Sequence, residues 1–166
     1  QKLVRFRYEA LGGQMLLKVS RVGVGAQLPS RSNPSDAGAD VFYCSPSGKK
    51  EIVVWSGESK ILPTGLKVEV PHGYMLEVKN RSGVAAKKSL VVGACVIDSG
   101  YSGEIFVNLH NIGNSSQTVK NGDKIAQLVL IPVVQWRSVE VKENNLYQDP
   151  LTISIRGDGA LGSTGE

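Results

Sequence analysis

With 166 residues, 41% hydrophobic and 20% charged, the chain has the size and balance of one soluble globular domain. Its longest uncharged apolar run, Leu128 to Val134, is far too short to cross a membrane. Its net charge of +4 is scattered, with only the pairs Lys49-Lys50 and Lys87-Lys88, so it suits an anionic small ligand better than stable nucleic-acid binding.

Residues 1–14 show no usable periodicity and read as an N-terminal extension or tag. Lys2, Arg5 and Arg7 are basic, but no apolar run with a small-residue cleavage site follows them, so no secretory leader is expected. Cys44 and Cys95 lie far apart without metal-binding or redox spacing, which predicts two reduced thiols in a cytoplasmic setting. From Leu16 onward the pattern is β. Strands are predicted at Leu16–Val19, Glu51–Trp55, Leu66–Val70, Tyr74–Val78, Ile105–Leu109, Ile125–Val134 and Ser138–Val141. Turn signals separate them at Pro46-Ser47-Gly48, Ser56-Gly57, Pro63-Thr64-Gly65, Pro71-His72-Gly73 and Asn121-Gly122-Asp123. Only Ser82 to Leu90 predicts a short helix. Many short strands and no βαβ alternation predict an all-β sandwich, jelly roll or barrel over 15–150, followed by a glycine-rich arm over 151–166. Trp55 and Trp136 are expected in the core or at a subunit contact. His72 is expected at the surface, and His110 packed or bonded to backbone.

Four segments break the strand pattern. Asp36-Ala37-Gly38-Ala39-Asp40 uses small residues to bring backbone close and place a carboxylate. Asn80-Arg81-Ser82-Gly83 reads as a phosphate cradle or as an ordinary helix cap. Gly93 to Glu104 reads as a glycine-bordered hairpin that projects Asp98 and Tyr101, or as a structural turn. The last, Arg156 to Gly165, pairs glycines with Arg, Ser and Thr, residue types that close around an anion. It has no GxxxxGK[ST] pattern, so a Walker-type nucleotidase is not supported.

These segments, in this order, resemble the five motifs of the trimeric dUTPase family over Leu16 to Gly165, with Gly122 to Leu128 similar to the fourth. The resemblance implies a distorted jelly-roll with a flexible C-terminal arm, and Mg²⁺-assisted hydrolysis of dUTP to dUMP and pyrophosphate. Asp98 would be the general base for a water attacking the α-phosphorus, and Gln127 would hold that water. Asp40 would organise Mg²⁺ through its water shell. Arg81, Ser82 and Gly83 would bind the β- and γ-phosphates. Tyr101 would sit under the deoxyribose, and backbone around Gly93, Cys95, Val96 and Ile97 would read uracil. Arg156, Leu161, Gly162, Ser163 and Thr164 would close over the ligand from a neighbouring subunit, which implies a homotrimer with shared sites and dUTP as the partner ligand.

Departures from the family pattern are Leu161 for a usual Phe, Ala160 and Cys95 for Gly, and Asn80 for Pro. The related dCTP deaminases use a Glu base at the position of Asn108, and an amide does not shuttle a proton, so that reading is rejected. Arg156-Gly157-Asp158 as an adhesion motif is rejected because the surrounding tail accounts for it. The remaining alternative is a nucleotide-binding or signalling protein of the same fold with reduced catalysis.

Overall fold

The computed structural model describes residues 10–11 and 14–147, with side-chain environments from Met15 on. Among these residues the chain is built from short antiparallel strands and one helix. Among the described residues no helix is long and apolar enough to cross a membrane.

The leading residues are not featureless. β1 (Ala10–Leu11) pairs with β2 (Gln14–Met15), and β3 (Lys18–Arg21) runs against β7 (Leu66–Glu69). The central sheet has four strands: β10 (Val96–Ile97), β8 (Tyr74–Lys79), β13 (Lys124–Pro132) and β4 (Ala39–Phe42), in that lateral order. A second sheet sets β11 (Phe106–Asn111) between β6 (Ser59–Pro63) and β9 (Leu90–Val92), and β12 (Gln117–Lys120) pairs with β5 (Glu51–Val54). Period-2 patterns set which face is inside. On β11, Val107, Leu109 and Asn111 are buried while Phe106, Asn108 and His110 face outward. Val41, Val54, Leu62, Leu66, Leu76, Leu90 and Ile105 complete the core. Each such side chain contributes roughly 1.5–3 kcal/mol by leaving water. Buried Asn111 is satisfied: its amide donates to the carbonyls of Val54 and Ser115 and accepts from the Gly113 N–H.

All five predicted turns carry a glycine at positive φ. Gly65 shows why no other residue fits. Its φ is +68°, and a methyl there would lie 2.7 Å from Ala26 Cβ and 3.0 Å from Cys44 Sγ. The Gly65 carbonyl also accepts from the Val22 and Gly23 N–H groups, so the contact is close on both sides.

The predicted helix is α1 (Ser82–Lys88), and Ser89 ends it in the left-handed region at φ 52°. The strands β4, β6, β9 and β12 lie outside the predicted set. The small residues of β4 hide it, because they read as a turn. One expectation needs correction: Ser138–Val141 forms no strand, and Val139 is 80% exposed there. Of the two settings expected for Trp55 and Trp136, core or subunit contact, their 63% and 80% exposure sets aside the core. Residues 135–147 form a separate unit with one 3₁₀ turn, Glu143–Asn145.

Candidate active site

Asp40 is the centre of the first cluster. It sits on β4, 9% exposed, and both carboxylate oxygens are engaged: Arg81 Nε donates to Oδ1 at 2.7 Å and Lys124 Nζ approaches Oδ2 at 2.9 Å. Burial raises the Asp40 carboxyl, but the hydrogen bonds and charges of Lys124 and Arg81 outweigh it and hold it below the ordinary carboxylate range. It is ionised at neutral pH.

A β-bulge explains how Lys124 and Gln127 both reach this place. Residues three apart on a regular strand point to opposite faces. On β13 the register slips between Lys124 and Ala126, and the neighbours Ile125 and Ala126 are both buried. The extra residue returns Gln127 to a position directly across from Asp40. The Gln127 amide donates to the Asn80 carbonyl at 2.8 Å, and it lies so close to Gly38 that a side chain there would displace it. The small residues around Asp40 are thus spacing for Gln127. Asp36 acts locally, where its carboxylate accepts from the Asn33 N–H at 2.8 Å and fixes its own turn.

Asp36, Gly38, Asp40, Arg81, Ser82 and Gln127 line a cleft of about 280 Å³, with Gly83 beside them. Arg81 is the N-cap of α1 and makes no side-chain cap bond, so it is not an ordinary capping residue. Asn80 ties the helix start to β9 by accepting from the Val92 N–H at 2.6 Å. The cleft offers a guanidinium, a hydroxyl and first-turn amides beside an ionised carboxylate, a donor set that matches phosphate oxygens.

The second cluster lies at the other edge of the central sheet. Ala94, Cys95, Val96, Ile97, Asp98 and Tyr101 line a cleft of about 180 Å³ against Val78 and Phe106. The chain does turn back here: β9 and β11 on either side run antiparallel, and the Gly93 N–H donates to the Asn108 carbonyl. A turn spans Asp98 to Tyr101, while Val96 and Ile97 pair outward with Glu77 and Leu76 of β8. The Cys95 carbonyl accepts from the Val78 N–H at 2.7 Å. That bond fixes the strand, and a carbonyl has a second lone pair for a ligand. The Tyr101 N–H donates to the Asp98 carbonyl, and its hydroxyl donates to the Glu104 carbonyl at 2.8 Å. The Tyr101 ring lies against Gly103, where a methyl would overlap it.

Both cysteines are free, Cys44 buried and Cys95 half-buried at the second cleft. Burial, followed by Glu104, pushes the Cys44 thiol up, so it stays protonated and unreactive. His110 packs on Gly93, one of its two expected settings, and bonds the Asn108 side chain.

A family profile described as dUTPase matches residues 25–165. The chain belongs to the dUTPase family. A deoxyuridine 5'-triphosphate nucleotidohydrolase of Chlamydia trachomatis serovar L2 is 38% identical over 144 residues, spanning 86% of this chain and 93% of that protein. Its namesake from Oryza sativa subsp. japonica is 38% identical over 150 residues, 90% of this chain and 81% of that one. Among solved structures, a mutant Staphylococcus bacteriophage 80alpha dUTPase with dUpNHpp superposes with TM-score 0.78 at 26% identity, covering 91% of this chain and 99% of that one. A mutant dUTPase from phage phi11 of S. aureus, described for its coordination of a structural Mg(II) ion, gives TM-score 0.69 at 27% identity over 77% of this chain and 97% of that one. The all-β fold is that of these family members.

Within this dUTPase-family fold, Asp40, Arg81, Ser82, Gly83 and Gln127 come together in one cleft, and Cys95, Val96, Ile97, Asp98 and Tyr101 in another. Gly93 adjoins the second through Ala94. The two clefts share no lining residue. The first takes in Gln127 of β13 and the second Val78 of β8, so both reach onto the two inner strands of the sheet. Arg156, Leu161, Gly162, Ser163 and Thr164 lie outside the described residues. Sequence reasoning assigns no role to Lys124, although it stands within the fourth motif; the bulge that aims it at Asp40 is a register event with no residue signature.

Proposed function

We propose that the chain hydrolyses dUTP to dUMP and pyrophosphate, with Mg²⁺ and in a homotrimer whose sites are shared between copies. The observation that carries the reading is the division of the motif residues between two clefts that share no lining residue. Asp98 and Gln127 line different clefts of one copy, and a site shared between copies brings the two groups to one water. Trp136 and Val139, each 80% exposed, offer apolar surface for such an assembly.

The Asp98 carboxylate accepts a proton from water as that oxygen bonds to the α-phosphorus, and Gln127 orients the water. The α–β bridging P–O bond breaks and its oxygen leaves with pyrophosphate. Arg81, Ser82 and Gly83 bind the β- and γ-phosphates, and Arg156, Ser163 and Thr164 close on the γ-phosphate with Gly162. Tyr101 packs under the deoxyribose and excludes a 2′-hydroxyl. Backbone from Gly93 to Ile97 reads uracil, with Leu161 covering it. Positioning and electrostatics dominate such chemistry, and direct attack by water needs no covalent enzyme intermediate.

The donors fit a substrate-carried Mg²⁺. The ionised Asp40 carboxylate lines the same cleft as Arg81 and Ser82, and a hard oxygen donor there would order the water shell of an ion that arrives with the triphosphate. When bound, the ion would offset triphosphate charge. Two free thiols fit a reducing cytoplasm.

The test is pyrophosphate release with Mg²⁺ from dUTP, dCTP, dTTP and UTP, beside Asp98→Asn. Turnover of dUTP alone, abolished in the variant, supports the reading. Tight dUTP binding without release in the parent chain overturns it in favour of a binding or signalling protein.

A further inference from the structure

Behind the second cleft stands a polar network that the mechanism does not use. On the outer face of β11, Asn108 touches the base-reading segment twice. Its backbone carbonyl accepts from the Gly93 N–H at 2.9 Å, and its side-chain Oδ1 accepts from the Ala94 N–H at 3.3 Å. Its Nδ2 donates to Ser59 Oγ at 2.8 Å on β6, and His110 Nε2 lies 2.8 Å from Oδ1. These contacts fix the amide's orientation. A backbone N–H only donates, so the atom facing Ala94 is the oxygen. The same oxygen faces His110, so Nε2 carries the proton and donates to it. Gly93 is packed so tightly on the Asn108 and His110 side chains that a methyl there would overlap both.

We propose that Asn108 is a positioning residue for substrate recognition, holding the Gly93–Ala94 backbone at the height from which the following residues read the base. The inference rests on the reading that this segment binds uracil. A neighbouring backbone segment has few anchors of its own here: β10 is two residues long, and the Cys95 carbonyl is its tie to β8 before that strand begins. The Asn108 side chain, braced by Ser59 and His110, supplies the anchor from the second sheet. Asn108 does not line the second cleft and acts on it through the Gly93–Ala94 backbone, in ground state and transition state alike, so its loss moves KM more than kcat.

The experiment compares Asn108→Leu, which removes all three side-chain hydrogen bonds while keeping a similarly branched side chain, with Asn108→Asp. The carboxylate still accepts from Ala94 N–H and His110, and Ser59 Oγ turns to donate. Asn108→Leu is expected to raise KM for dUTP about tenfold, with kcat within about twofold. It weakens dUMP binding by the same factor, leaves inorganic triphosphate binding unchanged, and speeds hydrogen exchange at the Ala94 amide. Asn108→Asp is expected to restore KM to within about twofold of the parent. A fall in kcat at unchanged KM, or equal weakening of dUMP and triphosphate, overturns the proposal and assigns Asn108 a general structural role. Should Asn108→Leu fail to fold, Asn108→Ser carries the same comparison, since its shorter side chain cannot reach Ala94. Failure of the underlying reading appears separately, as a parent chain that binds dUMP no better than other nucleotides.

Discussion

Gly38→Ala isolates the spacing that places Gln127. The Gly38 backbone is not in the left-handed region, so alanine adds no conformational strain of its own. The objection is one contact: the new methyl would overlap the Gln127 amide, with Cδ at 2.7 Å and Cγ at 3.0 Å. These atoms belong to the far end of a flexible side chain, so Gln127 swings away and the backbone stays. The structural loss is the hydrogen bond from Gln127 to the Asn80 carbonyl, about 1 kcal/mol. For a chain of this size that lowers Tm by about 2–4 °C. The functional loss is larger, because a displaced positioning group costs on the order of 10²-fold in rate. Steady-state pyrophosphate release and thermal melts are compared for Gly38→Ala, Gln127→Ala and the double variant. Both singles act through one amide, so the double is expected near the same 10²-fold loss, whereas independent effects would multiply to about 10⁴. A Gly38→Ala enzyme with parental kcat, or a multiplicative double, would refute the reasoning.

Four further outcomes are expected. Mixed and co-refolded Asp98→Asn and Gln127→Ala chains, each inactive alone, should regain about one quarter of parental activity, since a site needs one intact group from each of two copies; no regain places both groups in one chain's site. The Asp40 carboxyl has a folded pKa below its unfolded value of about 3.9, so its contribution is full above about pH 4 and fades as pH falls through the lower folded value. Urea midpoints from about pH 7 to 2 should therefore drop more steeply in the parent than in Asp40→Asn, and parallel curves would contradict the ion-pair assignment. Gly65→Ala should destabilise by at least about 2 kcal/mol in urea melts, from a left-handed alanine pressed on Ala26 and the Gly23 backbone; an unchanged midpoint would contradict that packing. Leu161→Phe should lower KM for dUTP about fivefold by adding an aromatic contact of about 1 kcal/mol, and an unchanged KM would rule out stacking there.

The sequence by itself determined the all-β class, the turns and the residue types of the site. Alternation in Leu66–Glu69 and Tyr74–Lys79 reports a face against a core, and each turn glycine marks a backbone conformation that other residues resist. Asp98, Tyr101, Arg81 and Gln127 were legible because their order along the chain is a local property. Other features existed only once strands paired. Ala39–Phe42 is a strand because β13 lies beside it, and Lys124 meets Asp40 because of a bulge that follows from the register of two segments more than eighty residues apart. Asn108 looked like a missing base in the sequence; across the sheet gap it became the group that grips Ala94. Trp136 looked like core because large aromatics favour burial, yet residue type cannot say whether the covering surface belongs to the same chain. The division of Asp98 and Gln127 between two clefts has the same origin. Period and propensity act over a few residues, while lateral strand order, which puts β10 and β4 at opposite edges, is decided by the packing of the whole sheet.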